Sequence, residues 1–256
     1  MKGGVVISFD VYIDKNLFEK YELDSIIHLL QLFEIEYAAI NGYSINKLRK
    51  ANNRYLEEVD LENTPEKRSQ SASPTFVSRI TIKEKNDREL KNKVRNYRND
   101  YHIIAVEPIS ENQARWAARD GRVDIVTCNN HNIAIMQQES IYSLAKAHSK
   151  AIEFQMKPII TAKKSTQGKL VRQYSKVYSY IKQRNVKFCI SSGAEEIHHL
   201  KEMDTWRTLA TIFGVEYSKG KEAINKTCLD IYLRNVERLK PGYIGEGMFI
   251  DSEEEE

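Results

Sequence analysis

The sequence predicts a single α/β domain, a (β/α) barrel of the TIM-barrel type, over residues 1–250. Segments typical of strands and helices alternate through the whole chain, with a period of about 20–30 residues. Several of the strands are continuous apolar runs, as expected for a parallel sheet that is buried on both faces. The length of 256 residues also fits a barrel of about 250 residues. An open, doubly wound sheet is the second possibility.

Short runs rich in β-branched and aromatic residues predict the strands. Seven of them are clear: Val5–Asp10, Tyr37–Asn41, Phe76–Lys83, Tyr101–Glu107, Val123–Cys128, Ala151–Met156 and Val186–Ser191. The position of an eighth strand is open between Gly214–Tyr217 and Tyr243–Ile250.

Helical periodicity and capping residues predict the elements between these strands. The helices are Asp24–Ile35, Ser44–Val59, Asp87–Arg98, Ser110–Asp120, Gln138–Ser149, a segment from about Gln167, Asp204–Phe213 and Lys219–Leu239. We expect Asp24, Ser44 and Ser110 to cap their helices, and Gly214 to end the helix before it.

Two segments are expected to lie outside the packed barrel. Asp60–Thr75 is polar, with two prolines and three serines, and is interpreted as a mobile insertion. Asp251–Glu256 is acidic and is expected to be disordered. The formal charge is +3 overall and −5 in this tail, which leaves +8 for the remainder. A moderately basic domain is compatible with a nucleic-acid partner.

Positive charge is concentrated between Lys157 and Lys187. Nine of these residues are Lys or Arg and none is Asp or Glu. An apolar stripe is formed by five residues at helical spacing: Leu170, Tyr174, Val177, Tyr178 and Ile181. Lys169, Arg172 and Lys176 recur with the same spacing on another face. We therefore expect one side of the helix to pack on the barrel and another to bind a polyanion, although a merely solubilising surface gives a similar pattern.

The cysteines and the apolar segments bear on cellular location. Cys128, Cys189 and Cys228 are far apart and form no Cys-x-x-Cys pair, so neither a zinc site nor a disulfide framework is expected. The first residues do not resemble a signal peptide, and no apolar run reaches the roughly 18 residues of a membrane span. The cytoplasm is the expected location.

The ends of the predicted strands provide little evidence for catalysis. No His-x-His motif follows the first strand, and His131 is the one histidine directly after a strand. We expect Asp10, Asp124 and Glu153 to accept backbone hydrogen bonds or to pair with cations. Ser191–Ala194 is interpreted as a tight turn, with an anion-binding turn as the alternative. Neither catalytic residues nor metal ligands are predicted in this chain.

An ordered set of short motifs resembles a known family, archaeal ribonuclease P protein component 3. The motifs are RVDIV at Arg122–Val126, a helix with Leu144 and Ala145, AIEF at Ala151–Phe154, FCISSGA at Phe188–Ala194, LATIFG at Leu209–Gly214, and Ala223 before the long last helix. The resemblance covers about Val5 to Leu239. It departs from the family at the 60–75 insertion, at Lys201–Asp204, where an Arg and a Pro would precede the Asp, and in the acidic tail.

The resemblance implies a barrel related to the polymerase-and-histidinol-phosphatase hydrolases but without their metal ligands, in agreement with Tyr12 where those enzymes have a histidine. It implies a subunit of ribonuclease P, the ribonucleoprotein endonuclease that removes the 5′ leader from precursor tRNA. The RNA subunit would perform the cleavage with magnesium, and this chain would bind no cofactor. Together with protein component 2 and the other proteins of the holoenzyme, it would support the catalytic RNA.

The charge pattern and the resemblance together select the candidate RNA-binding residues. The first group is Lys157, Lys163, Lys164, Lys169, Arg172 and Lys176, and the second is Arg115, Arg119 and Arg122. Two other functions stay open at this stage. One is a metal-dependent phosphoesterase on the same barrel, and the other is a structural barrel that binds only protein.

Overall fold

The computed structural model describes residues 7–51, 73–245 and 248–249. Residues 52–59 of the predicted second helix, residues 60–72 of the predicted insertion and the acidic tail lie outside the described residues. The expectations for those segments therefore stay predictions.

Seven parallel strands form one sheet whose spatial order is the order of the sequence. They are β1 Phe9–Asp14, β2 Tyr37–Asn41, β3 Thr75–Ile82, β4 Ile103–Val106, β5 Ile125–Cys128, β6 Ala151–Gln155 and β7 Lys187–Ser191. Each strand pairs in parallel with the next one in the chain. The predicted TIM-barrel-like fold is confirmed, and the open doubly wound order is wrong.

Helices follow the strands and cover the sheet. They are α1 Lys15–Lys20, α2 Leu23–Leu32, α3 Ile45–Ala51, α4 Asp87–Tyr97, α5 Glu111–Ala117, α6 Glu139–Ala147, α7 Lys157–Thr161, α8 Lys164–Arg184, α9 Met203–Thr211, α10 Tyr217–Ile224 and α11 Lys226–Arg238. A short antiparallel pair, β8 Tyr243–Gly245 and β9 Met248–Phe249, follows the last helix.

The barrel nearly closes where β1 meets the turn after β7. Ile13 bridges Ala194 in parallel, and the Asp14 N–H donates to the Ala194 carbonyl at 2.7 Å. Lower in this seam, Asp10 Oδ1 accepts the Ser192 N–H at 3.0 Å. The Ser192 hydroxyl donates to the Tyr12 carbonyl at 3.2 Å. Side chains thus supply part of the pairing that a continuous ladder would provide.

Neither predicted position of an eighth barrel strand is correct. Gly214 has φ +91° and ends the turn after α9, and Tyr217 begins α10. Residues 243–245 pair with residues 248–249 and form a separate two-stranded sheet. Among the described residues the barrel therefore has seven strands, and the turn after β7 bridges directly to β1.

Three other boundaries differ from the sequence prediction. The first strand runs from Phe9 to Asp14 rather than ending at Asp10, because Val11 and Ile13 are also buried. Glu22, not Asp24, is at the N-cap of α2, and Asp24 lies in the first turn. The predicted long last helix is broken at Asn225 into α10 and α11.

Two predicted helix caps are confirmed. Ser44 and Ser110 accept capping hydrogen bonds from the N–H groups of Lys47 and Gln113.

The amino-terminal half of the barrel interior is apolar. Every strand contributes to one buried cluster, which also contains two residues of α11: Phe9, Val11, Tyr37, Ala39, Val77, Ile103, Ala105, Ile125, Ala151, Cys189, Cys228 and Ile231. Most of these strand residues lie near the strand starts, so α11 lies across that end and closes it. The ring of Tyr232 contacts Phe9, Tyr37 and His102 there.

A buried ion pair crosses the interior above this apolar cluster. The Arg79 guanidinium donates to both carboxylate oxygens of Glu153, at 2.8 and 2.5 Å, and neither side chain is exposed. Arg79 also donates to the Val11 carbonyl at 2.5 Å. Hydroxyls of Thr127 and Ser191 donate to the Glu153 carboxylate, each at 2.7 Å. The network therefore joins β1, β3, β5, β6 and β7.

Substitution of one member of this pair is expected to destabilise the barrel strongly. Arg79→Met or Glu153→Met leaves an uncompensated buried charge, which costs about 3–5 kcal/mol of the free energy of unfolding. The double variant should be less destabilised than the sum of the two single variants. Urea unfolding followed by circular dichroism measures all three.

The half-exposed pair of Lys83 with Glu107 provides the control for this experiment. Lys83→Met should lower the free energy of unfolding by less than about 1 kcal/mol, because solvent screens exposed pairs. Strictly additive effects of Arg79→Met and Glu153→Met would contradict a coupled buried pair.

Candidate nucleic-acid interface

A polar cavity of about 730 Å³ opens at the carboxyl ends of the barrel strands. In barrels of this type the loops after the strands build the binding sites at this end. The cavity is lined by residues that follow β3 to β7 and by the start of α8, among them Lys83, Glu107, Asn129, His131, Gln155, Lys157, Lys163, Thr166, Lys169, Gln173, Gly193 and Glu195. We call this opening the mouth pocket.

The basic segment forms one rim of the mouth pocket. It consists of α7, a short connection and α8, which begins earlier than the sequence predicts. The five residues of the predicted apolar stripe are all buried: Leu170, Tyr174, Val177, Tyr178 and Ile181. In addition, the Tyr174 hydroxyl donates to the Gln155 carbonyl at 2.9 Å, which joins the helix to the end of β6. The predicted packing of this helix is therefore confirmed.

Five of the six cations predicted in this segment are exposed and make no ion pair with any described residue. They are Lys163, Lys164, Lys169, Arg172 and Lys176. Lys157 is the exception, since its Nζ lies 2.5 Å from Glu195 Oε1. Further along α8, Lys182 pairs with Glu216 and Arg184 pairs with Glu139. We call the five unpaired side chains the basic face.

The second predicted group lies away from the mouth pocket. Arg122 precedes β5, so it lies at the amino-terminal end of the barrel, and it pairs bidentately with Asp120 at 2.9 and 2.7 Å. Arg115 lies 3.5 Å from Glu111 on the outer helix α5. Arg119 is exposed just after that helix. The structure does not bring these three arginines together with the basic face.

Hydrogen bonds between side chains of β1 and β2 fix the position of Tyr12 at the floor of the mouth pocket. The Asn41 amide donates to the Tyr12 hydroxyl at 3.2 Å, and that hydroxyl donates to Asp14 at 3.1 Å. The Tyr12 ring centroid lies 4.7 Å from the Arg79 guanidinium carbon. Burial, then the Asp14 charge, raises the pKa of Tyr12, so its hydroxyl stays protonated.

Arg79 was missed because an arginine in an alternating strand resembles an ordinary outward-facing residue. The alternation of FVSRITIK places Arg79 on the same side as Val77, a buried position, and this was the available signal.

The interpretation of the acidic residues Asp10, Asp124 and Glu153 is confirmed. Glu153 pairs with Arg79, and Asp10 accepts backbone N–H groups. Asp124 pairs with Arg98 and Arg234.

Ser191–Ala194 forms a tight turn whose polar groups are used within the protein. The Ser192 N–H donates to Asp10, and the Ala194 N–H donates to the Ser192 hydroxyl at 3.0 Å. Gly193 has φ +67°, and a Cβ there would lie 3.3 Å from Lys157 Cβ and 3.6 Å from Gln155 Cβ. Glycine is thus required both by the backbone and by the close approach of its neighbours.

The described part of the chain contains no group of three or more His, Cys, Asp or Glu side chains arranged to hold a metal ion. Its helices also include none that combines the length and the apolar character needed to cross a membrane. The mouth pocket therefore offers polar and cationic side chains in a region where a hydrolase barrel would place metal ligands.

Comparison with known proteins identifies the family. A family model described as RNase P subunit p30 matches residues 7–240. The chain belongs to the RNase P subunit p30 family. It is a protein subunit of ribonuclease P, a ribonucleoprotein endoribonuclease of tRNA processing, and the resemblance found in the sequence is confirmed.

Two curated relatives agree with this assignment, and one solved structure has the same fold. Ribonuclease P protein component 3 of Methanosarcina barkeri is 26% identical over 172 residues, covering 66% of this chain and 70% of the relative. The protein of the same name from Methanococcus maripaludis is 26% identical over 194 residues, covering 74% and 83%. A chain in a cryo-EM structure of archaeal ribonuclease P with mature tRNA shares the fold, with a TM-score of 0.77, 19% identity, and coverage of 97% and 100%.

Two buried titratable groups of this p30-family chain have opposite effects on its pH dependence. Burial raises the pKa of Asp10 to about 6, against the hydrogen bonds from Ser192 and Tyr12. Burial, then the charges of Arg49 and Arg98, lowers the pKa of His102 to about 4. Both groups are therefore more stable neutral. The Asp10 contribution falls as pH rises from about 4 to about 6, whereas the His102 contribution falls as pH drops from about 6.5 to about 4.

Single substitutions should separate these two effects. Relative to wild type, Asp10→Asn removes a group that gains up to about 3 kcal/mol as pH falls from 7 to 4, so the variant should lose relative stability in acid. His102→Gln removes the opposite contribution and should gain relative stability over the same range. Urea unfolding at pH 4, 5, 6 and 7 measures the differences. Parallel pH profiles of Asp10→Asn and wild type would contradict the raised pKa.

Proposed function

We propose that this subunit binds the ribonuclease P RNA through the basic face and contributes binding energy rather than chemistry. In this proposal the RNA subunit cleaves the 5′ leader from precursor tRNA with magnesium ions, and this chain holds neither metal nor cofactor. Protein component 2 is the proposed direct partner, and the pair supports the catalytic half of the RNA.

The observation that carries the proposal is the absence of ion pairs across the basic face. Five exposed cations lie along one connection and one helix face, and no described carboxylate neutralises them. On the same helix, Lys182 and Arg184 do find acidic partners. A phosphate backbone can therefore approach the basic face without breaking an existing ion pair.

The energetic consequence follows from counterion release. Each lysine or arginine that contacts a phosphate releases condensed cations from the RNA, so affinity falls steeply with salt. Protein cations that neutralise phosphates also replace part of the magnesium that a folded RNA requires. We expect the subunit to lower the magnesium concentration needed for cleavage.

The second group of arginines is proposed to contribute less. Arg122 would have to give up its bidentate contact with Asp120, and Arg115 is close to Glu111. Arg119 is exposed. If these residues bind RNA, they contact a different part of it, since Arg122 lies at the opposite end of the barrel from the mouth pocket.

The proposed location is the cytoplasm. Three free, buried cysteines are compatible with a reducing compartment.

Charge reversal on the basic face tests the proposal. In cleavage of precursor tRNA at limiting magnesium by the cognate RNA with component 2, wild type should restore activity. Lys169→Glu/Arg172→Glu should be at least about tenfold less effective, and the salt dependence of its RNA binding should be shallower by about two ions. The difference should shrink at saturating magnesium.

Lys182→Glu/Arg184→Glu is the matched control. It makes the same change of charge on the same helix, at cations that already have acidic partners. Equal losses in both double variants would indicate an effect of net charge alone, and no loss in either would overturn the assignment of the basic face. A wild-type subunit that leaves the magnesium dependence unchanged would overturn the proposed mechanism.

A further inference from the structure

The mouth pocket has the volume of a site for one small ligand. Its volume is about 730 Å³, within the roughly 300–1,000 Å³ of pockets that enclose small molecules. A duplex RNA is recognised across its outer surface by shape and backbone. Unpaired nucleotides, by contrast, are turned out of the stack and bound singly, by contacts to their base edges.

Two carboxamide side chains lie together at the floor of the mouth pocket. Asn129 Nδ2 donates to Gln155 Oε1 at 3.3 Å, and Asn129 Oδ1 accepts the His131 N–H at 2.9 Å. Their exposed fractions are only 3% and 9%, so both are held in place. Gln155 Nε2 makes no hydrogen bond within the described part of the chain, and its side chain lines the cavity. Gln155 Nε2 is therefore a donor available to an acceptor on the edge of a nucleobase.

The charges around the opening favour a phosphate on the α8 side. Lys163 and Lys169 line the cavity and belong to the unpaired basic face. The two carboxylates at the rim, Glu107 and Glu195, are each held by a lysine, Lys83 and Lys157, at 2.5 Å. The free positive charge is therefore next to α8, continuous with the surface proposed to follow the RNA backbone.

We infer that the mouth pocket binds a single unpaired nucleotide of the ribonuclease P RNA, with its base edge against Asn129 and Gln155 and its phosphate toward Lys163 and Lys169. The inference rests on the proposed function for the source of the nucleotide. It adds a base-reading contact to a surface otherwise made of phosphate contacts.

The test uses full-length chain in complex with component 2, and the cognate RNA. Gln155→Met keeps the length of the side chain but removes the amide donor, and should weaken RNA binding about three- to tenfold without changing its salt dependence. Thr166→Trp fills the pocket from the rim and should have an effect at least as large. Gln183→Trp, at an exposed position of the same helix outside both the cavity lining and the basic face, is the control and should bind as wild type does.

Chemical probing locates the nucleotide. One unpaired base should be protected from dimethyl sulfate or a carbodiimide by wild type and by Gln183→Trp, and should become reactive with Gln155→Met and Thr166→Trp. Melting curves of both variants verify that they are folded. Unchanged affinity and unchanged protection in both pocket variants would overturn the inference.

Two comparisons distinguish a nucleotide pocket from a surface that binds only phosphates and from a site for a free nucleotide. If Lys169→Glu/Arg172→Glu weakens binding while the pocket variants do not, the pocket inference fails and the basic face stands. If none of the variants affects RNA binding, both fail. Titration with the four nucleoside monophosphates should show only weak, millimolar binding, because a free nucleotide lacks the neighbouring backbone contacts. Micromolar binding of one of them would instead indicate a site for a free nucleotide and overturn the RNA source.

Discussion

The structure of the barrel depends on the buried ion pair between Arg79 and Glu153. A guanidinium and a carboxylate without solvent exposure are tolerated only when their hydrogen bonds are satisfied, and here five strands contribute to this. The pair therefore fixes how the ends of these strands lie relative to one another. Since the mouth pocket is built on those ends, its geometry follows from the same network.

The buried network around Arg79 and Glu153 also keeps its polar groups engaged with one another, and so separates them from any ligand at the mouth pocket. The Glu153 carboxylate accepts hydrogen bonds from Arg79, Thr127 and Ser191, so its oxygens are already used within the protein. The Tyr12 ring lies beside the guanidinium and lines the pocket floor. Because the polar groups around Arg79 and Glu153 bind one another, the side chains left for a partner are those that line the mouth pocket and its rim, among them Gln155, Lys163 and Lys169.

Local patterns in the sequence predicted the strands, most helices and the buried stripe of α8, because alternation and helical spacing report which side of an element is buried. They did not predict contacts between residues far apart in the chain. The partnership of Arg79 with Glu153 spans 74 positions, and although a cation partner is one expectation for Glu153, no local pattern identifies Arg79 as that cation. The wrong prediction of an eighth barrel strand has the same cause. Among the described residues the barrel is closed between β1 and the turn after β7, and the contact of Asp10 with Ser192 spans 182 positions. The unpaired Nε2 of Gln155 could not be predicted either, because it depends on the contact between Gln155 at the end of β6 and Asn129 just after β5.

The basic face shows how a local pattern and a distant contact combine. A segment without Asp or Glu cannot neutralise its own cations by the i,i+4 pairs that are usual on surface helices. Whether those cations stay free then depends on the neighbouring elements. Glu216 and Glu139 reach Lys182 and Arg184 near the carboxyl end of α8, but no described carboxylate reaches Lys169 or Arg172. Among the described residues, the tertiary structure thereby limits the unpaired charge of α8 to the part from Lys164 to Lys176, which begins at the mouth pocket.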